Sequence, residues 1–118
     1  MNIEEFHVYC LSKHSVTEGF PFGPEILVLK VGGKVFALAR LDNPQFSVNL
    51  KADPDYAVEL RELYEEVQPG YHMNKKHWNT VNFEGNLPEE LLKKLIDHSY
   101  ELVVKGLSKA KRMELGLN

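Results

Sequence analysis

Apolar residues recur at three- and four-residue intervals near the N-terminus. Ile3, Phe6, Cys10 and Leu11 share a face with His7 and His14, which predicts a helix over residues 3–14. Gly19, Pro21, Gly23 and Pro24 then break any regular element. Beyond them the period shortens to two. Residues 25–31 and 34–41 predict strands joined at Gly32-Gly33, a two-residue hairpin turn that needs positive φ. Asp42-Asn43-Pro44 turns the chain again, and residues 45–51 predict a third strand. Along it Phe46, Val48 and Leu50 face one way, and Ser47, Asn49 and Lys51 the other. Such alternation implies a sheet with one face covered and the other partly open to solvent.

Asp53-Pro54 begins a second helix, a capping carboxylate followed by proline at the first helical position. Ala57, Leu60, Leu63, Tyr64 and Val67 form its apolar stripe, and Pro69-Gly70 stops it. Residues 71–77 read as irregular or a short strand, and 78–83 as a further strand. A last helix runs from near Pro88 to about Gly106, with Leu91, Leu92, Leu95, Ile96, Leu102, Val103 and Leu107 inward. The tail, 108–118, reads as a helical extension that frays. The order is α-βββ-α-β-α: an antiparallel sheet flanked by helices, in the α+β class.

Size changes this picture little. A chain of 118 residues suits one domain, 1–118, since two would each be too small to bury a core. With 43% apolar and 26% charged residues it is an ordinary globular composition. Apolar runs such as residues 26–29 are far too short to span a bilayer, and the N-terminus lacks the pattern of a secretory signal. Cys10 is the single cysteine, which excludes an internal disulfide and suits a reducing compartment. The expectation is a cytoplasmic protein.

Charge matters more. The net value is −3, unlike that of a strongly basic nucleic-acid-binding domain. Its sign is uneven along the chain, however. Carboxylates gather at 53–66 and 84–90, cations at Lys75-Lys76 and 105–112. A local positive patch on an acidic protein is compatible with that pattern.

Three constellations invite a chemical reading. His7, Cys10 and His14 are ligand types for zinc, but they share their helical face with Ile3, Phe6 and Leu11, which favours packing over metal binding. Asp97-His98-Ser99 has the letters of a hydrolase triad, yet consecutive helical residues point about 100° apart and cannot align. Ser99 is expected to bond the carbonyl one turn back, or to leave room for Trp78. The third is Tyr71-His72-Met73-Asn74-Lys75-Lys76-His77-Trp78-Asn79-Thr80. Its lysines suit phosphates, its asparagines suit bases or backbone, and Trp78 or Tyr71 suits base stacking. The plainer reading is favoured: Trp78 is a buried core anchor and Asn74 a turn residue, with Lys75 and Lys76 exposed. No catalytic set, metal site or cofactor signature emerges, so an enzyme is not expected.

The same segment, continued to Val81, resembles the MmcQ/YjbR-like family. The resemblance extends through Phe20-Pro21-Phe22-Gly23, Gly33-Lys34-Val35-Phe36-Ala37, Val48-Asn49-Leu50-Lys51 and Ile96-Asp97-His98-Ser99-Tyr100-Glu101-Leu102-Val103. It implies a double-wing DNA-binding arrangement, with the turns at Gly32-Gly33 and Asp42-Asn43-Pro44 as wing tips. DNA is thus the first expected partner. Lys34, Arg40, Lys51, Lys75 and Lys76 are then the phosphate contacts, joined by Lys109, Lys111 and Arg112 from the tail. Two alternatives stand beside this reading. One is a protein-interaction module, whose open sheet face or hairpin edge accepts a peptide or a second subunit. The other is a small-ligand site lined by Tyr71, His72, Asn74, Ser99 and Tyr100.

Overall fold

The structure, a computed structural model, describes residues 1–117. Six strands form one antiparallel sheet in the order β1-β2-β3-β4-β6-β5: β1 (Val16–Gly19), β2 (Ile26–Val31), β3 (Lys34–Arg40), β4 (Ser47–Lys51), β5 (Val67–Pro69) and β6 (Trp78–Asn82). Helices α1 (Ile3–Leu11), α2 (Pro54–Leu63), α3 (Glu89–Gly106) and α4 (Lys109–Glu114) complete the α+β fold. The class and the central hairpins follow the sequence pattern. Both edge strands, β1 and β5, are additions to the predicted order.

Each addition has a physical reason. Val67 fits the helical period of α2, but the helix stops at Leu63 and Tyr64 is extended (φ −130°, ψ 122°). Val67 is then buried in β5 opposite Val81, which satisfies its apolar side chain equally well. Leu63, expected inward, is exposed. At the N-terminus α1 ends at Leu11 rather than at residue 14, and Ser15 takes a left-handed φ of 61° that turns the chain into β1. The tail is better held than expected. Ser108 caps α4 by accepting the Lys111 N–H at 3.1 Å, and His14 Nε2 and Ser15 Oγ both meet the Leu115 carbonyl oxygen, at 2.7 and 3.1 Å.

The core lies between the helices and one face of the sheet. Phe6 of α1 meets Phe46 and Phe83 edge-on, at centroid distances of 5.5 and 5.6 Å, and Leu29, Val48, Leu92 and Ile96 fill the space beside them. A bulge separates the pairs Leu29–Ala37 and Lys30–Val35, leaving Phe36 as the extra residue of β3. The hairpin between β2 and β3 requires glycine twice over. Gly32 has φ +59°, and a Cβ there would stand 2.6 Å from Leu107 Cδ1, where the end of α3 packs on the turn.

Candidate binding surfaces

Four consecutive residues of α3 look chemical in sequence and are consumed by the fold. Asp97 accepts the Tyr9 hydroxyl at 2.6 Å and pairs with Lys13 at 2.5 Å. His98 Nε2 accepts the backbone N–H of Asp53, the cap of α2, at 3.1 Å. Burial holds the His98 imidazole below its ordinary pKa, against the opposing pull of Asp53 and Glu101. Ser99 is 0% exposed; its hydroxyl donates to the orphaned Phe36 carbonyl at 2.5 Å and accepts the Lys51 N–H at 2.8 Å. It therefore fastens α3 to β3 and β4, instead of bonding back along its own helix or making room for Trp78. Tyr100 donates its hydroxyl to the His14 carbonyl.

The three residues with zinc-ligand chemistry also part company. His7 bonds Glu18 of β1 at 2.5 Å, and His14 turns to Leu115. Cys10 is fully buried, and that burial pushes its thiol up to about 12, so it stays a neutral packing group.

The segment 70–77 is a loop bonded to itself and to the sheet. Asn74 Oδ1 accepts the Lys76 N–H at 2.9 Å, and the Asn74 carbonyl accepts from His77 and Trp78, so this asparagine does hold a turn. Lys75 and Lys76 are exposed. Trp78 is only half-buried, not the expected core anchor; the neighbour that is buried is Asn79, whose Nδ2 donates to the Ala57 carbonyl at 3.2 Å.

Strand register fixes which cations share a surface. Val31 opposes Lys34 at the Gly32-Gly33 turn, Ala37 opposes Leu50, and Lys51 opposes Trp78. Lys34, Lys51, Lys75 and Lys76 therefore sit at one end of the sheet. The end of α3 packs on that same turn, so Lys105 and α4 with Lys109, Lys111 and Arg112 follow there. Arg40 does not join them. It opposes Ser47, four residues along β4 from Lys51, which at about 3.3 Å per residue is roughly 13 Å away. The two hairpin tips likewise point in opposite directions, so Gly32-Gly33 and Asp42-Asn43-Pro44 cannot grip one duplex as a pair. Around the Arg40 end stand Glu25, Asp42, Glu66, Glu84 and the acidic first turns of α1 and α3, while Asp53 and Asp55, which open α2 directly after Lys51, put two carboxylates at the lysine end.

A second surface lies on the sheet face opposite α1 and α3. Two loops lean over it, one carrying Phe22 and the other Tyr71, His72 and Met73. Between them, above Ile26, Leu38 and Asn49, is a groove of ≈ 310 Å³. Past Arg40, Asn49 and Tyr71 it opens into a more polar hollow of ≈ 400 Å³ beside Ser47 and Thr80. The expected pocket of Tyr71, His72, Asn74, Ser99 and Tyr100 is thereby divided. Tyr71 and His72 line this groove, Asn74 holds the turn behind it, and Ser99 and Tyr100 pack on the far side of the sheet. Alternation in residues 45–51 placed Asn49 on this face, but nothing in it signalled the loops that make a groove there.

Fold and surfaces together define a small α+β domain with one helix-covered and one groove-bearing sheet face. The chain belongs to the YjbR family, whose sequence model matches residues 11–102. It is 46% identical to protein YbdF of Escherichia coli O157:H7 over 76% of this chain and 74% of that one. It is 33% identical to protein YjbR of Escherichia coli K12 over 95% of both. Both relatives are uncharacterised. The crystal structure of Deinococcus radiodurans protein DR2400, 41% identical, superposes with a TM-score of 0.93 over 99% of this chain and 89% of that chain. A Pseudomonas syringae protein, 28% identical, gives 0.77 over 87% and 99%. No helix among the described residues is long and apolar enough to cross a membrane.

Proposed function

We propose that this protein binds nucleic acid through the cationic end of its sheet, contacting phosphates with Lys34, Lys51, Lys75 and Lys76, and that it binds rather than catalyses. The observation that carries the reading is the segregation of these four lysines to one end of the strand axis in a molecule of net charge −3, with Asp53 and Asp55 of α2 as acidic exceptions at that end. Part of that segregation has a local cause. Glu4, Glu5, Glu89 and Glu90 at helix N-termini, and Lys105 in the last turn of α3, complement helix dipoles. Lys34, Lys51, Lys75 and Lys76 lie on strands and a loop, where no dipole asks for them. Among the described residues, none of the four has a carboxylate partner within 4.0 Å; Lys75 meets only the Gly70 carbonyl, at 3.1 Å. Of the tail cations, Lys111 is partly neutralised by Glu114 at 3.6 Å. Arg40 is left out of the contact set, since it sits at the acidic end.

Pairing of a partner strand at a sheet edge is the weaker reading. Edge strand β1 is four residues ending in Gly19, and β5 is three ending in Pro69, both of which blunt an edge. Fluorescence anisotropy of labelled duplex and single-stranded DNA at two salt concentrations tests the proposal. Wild type should bind at low salt, the Lys75→Glu, Lys76→Glu variant should not, and Lys94→Glu on α3 should behave as wild type. Absence of binding at low salt would overturn it.

A further inference from the structure

We infer that the groove on the open sheet face is a binding site for a small carboxylate with an apolar body, seated on Arg40. The inference is independent of the nucleic-acid reading, because Arg40 and the cationic end are separate surfaces.

Arg40 is a cation with unused capacity. Its Nε lies 3.7 Å from Asp42 Oδ1, too far for a hydrogen bond, and among the described residues its guanidinium donates to no protein acceptor. The group sits instead 5.9 Å from the centroid of the Tyr71 ring, at the seam between the apolar groove and the polar hollow. A guanidinium that spends no hydrogen bond on the protein keeps its fork of donors free, the shape that receives a carboxylate by two parallel bonds. The apolar side of the seam offers Ile26, Leu38 and Met73, with Phe22 and Tyr71, 65% and 58% exposed, as walls. Exposed aromatic rings facing a concavity are unused apolar surface, and a ligand's body placed there removes it from water.

The wall is built rather than draped. Asn49 is 6% exposed, and its Nδ2 donates to the Tyr71 carbonyl at 3.2 Å. Thr80 Oγ1 accepts the Tyr71 N–H at 2.9 Å and donates to Asn49 Oδ1 at 2.5 Å. One buried amide and one hydroxyl, bonded to each other, thus hold both backbone polar groups of a single exposed residue. His72 then takes φ 58°, a left-handed conformation that costs a non-glycine residue energy, and its ring lies 4.0 Å from that of Tyr71. A fixed wall lowers the ordering cost of binding.

Chemistry selects the ligand class. One guanidinium, its charge already partly offset by Asp42, suits at most a single negative charge; a phosphate dianion asks for more cations, and Arg40 is the one arginine or lysine among the residues lining the groove and the hollow. Volume sets the scale, for ≈ 310 Å³ is at the small end of ligand pockets. A monocarboxylic acid with an aromatic or branched body fits both limits.

Two-dimensional amide NMR of the full chain, titrated with phenylacetate and separately with phenylacetamide, tests the site. Expected are saturable shifts at Leu38, Arg40, Asn49 and residues 71–73 with phenylacetate at millimolar concentrations. Binding should weaken roughly tenfold to a hundredfold for the neutral amide and for Arg40→Gln, the loss expected when a charge-assisted bond is removed. The acid-versus-amide comparison uses wild type alone, so it stands even if Arg40→Gln fails to fold. Equal binding of acid and amide, shifts confined to the Lys51 and Lys76 end, or no saturable shift would each overturn the inference. A Lys34→Glu, Lys76→Glu variant, which changes no side chain bonded to the groove wall, should retain phenylacetate binding, which separates failure of this site from failure of the nucleic-acid reading.

Discussion

His98 is an imidazole employed as a hydrogen-bond acceptor, and that makes the fold sensitive to acid. The ring must be neutral at Nε2 to receive the Asp53 N–H, and it packs edge-on against Tyr56 at 5.0 Å. Burial lowers its pKa from the ordinary 6.5, with Lys105 and Lys94 adding to the effect and Asp53 and Glu101 opposing it. The unfolded chain therefore binds this proton more readily than the folded one. Stability from this group is complete above about pH 6.5 and is lost as pH falls through the lower folded value. Urea midpoints of wild type should drop between about pH 7.5 and pH 5 by more than those of His98→Gln, whose amide oxygen can accept the same N–H. Equal drops would remove His98 from the account. Ser99 gives a larger effect at any pH. Ser99→Ala strands the Phe36 carbonyl and the Lys51 N–H together, and the expected loss is about 2–4 kcal/mol in a urea melt. A loss well below that would mean water replaces the hydroxyl. The sequence could show that Asp97, His98 and Ser99 were not a triad, since helix geometry alone forbids it. It could not show their partners, which come from α1, the cap of α2, and a bulge in β3, all remote in the chain.

Among elements, those readable in the sequence are the ones whose signal is local. The β2–β3 hairpin announces itself by alternation around Gly32-Gly33, and α3 by a long apolar stripe. The edge strands were hidden because a strand of three or four residues shows too few periods, and because Val67 obeys the period of the helix before it. Long-range contact decides both cases. It also decides how firmly the hairpin resists change. Gly32→Ala must hold a left-handed φ, costing about 1–3 kcal/mol, and must also displace Leu107 from the end of α3. Gly33, also left-handed, has nothing within 4 Å of its missing Cβ, so Gly33→Ala carries only the backbone cost. The expectation is a thermal midpoint lower for Gly32→Ala than for Gly33→Ala; the reverse order would show that α3 does not pin the turn.

For the whole molecule, what counts is where charge sits rather than its sum. The acidic net charge and the clusters at Lys75-Lys76 and 105–112 are visible in the sequence as runs, but only strand register shows that Lys34 and Lys51 join them while Arg40 does not. An anionic polymer meeting this protein feels the near pole more than the far one. The far pole begins roughly 13 Å away along the strands, beyond one screening length of about 8 Å at physiological salt. Two consequences separate placement from total charge. If the four lysines each neutralise one phosphate, the logarithm of duplex affinity should fall with the logarithm of salt with a slope of about −3 to −4. A slope near zero would deny phosphate contact altogether. The paired exchange Lys76→Glu with Glu84→Lys leaves the net charge at −3 yet inverts one site at each pole. It should weaken binding and flatten the slope, whereas Glu84→Lys alone, which raises the net charge to −1, should change both little. If instead affinity tracked net charge across these variants, the protein would be acting as a featureless ion, and its cationic end would have no special part in binding.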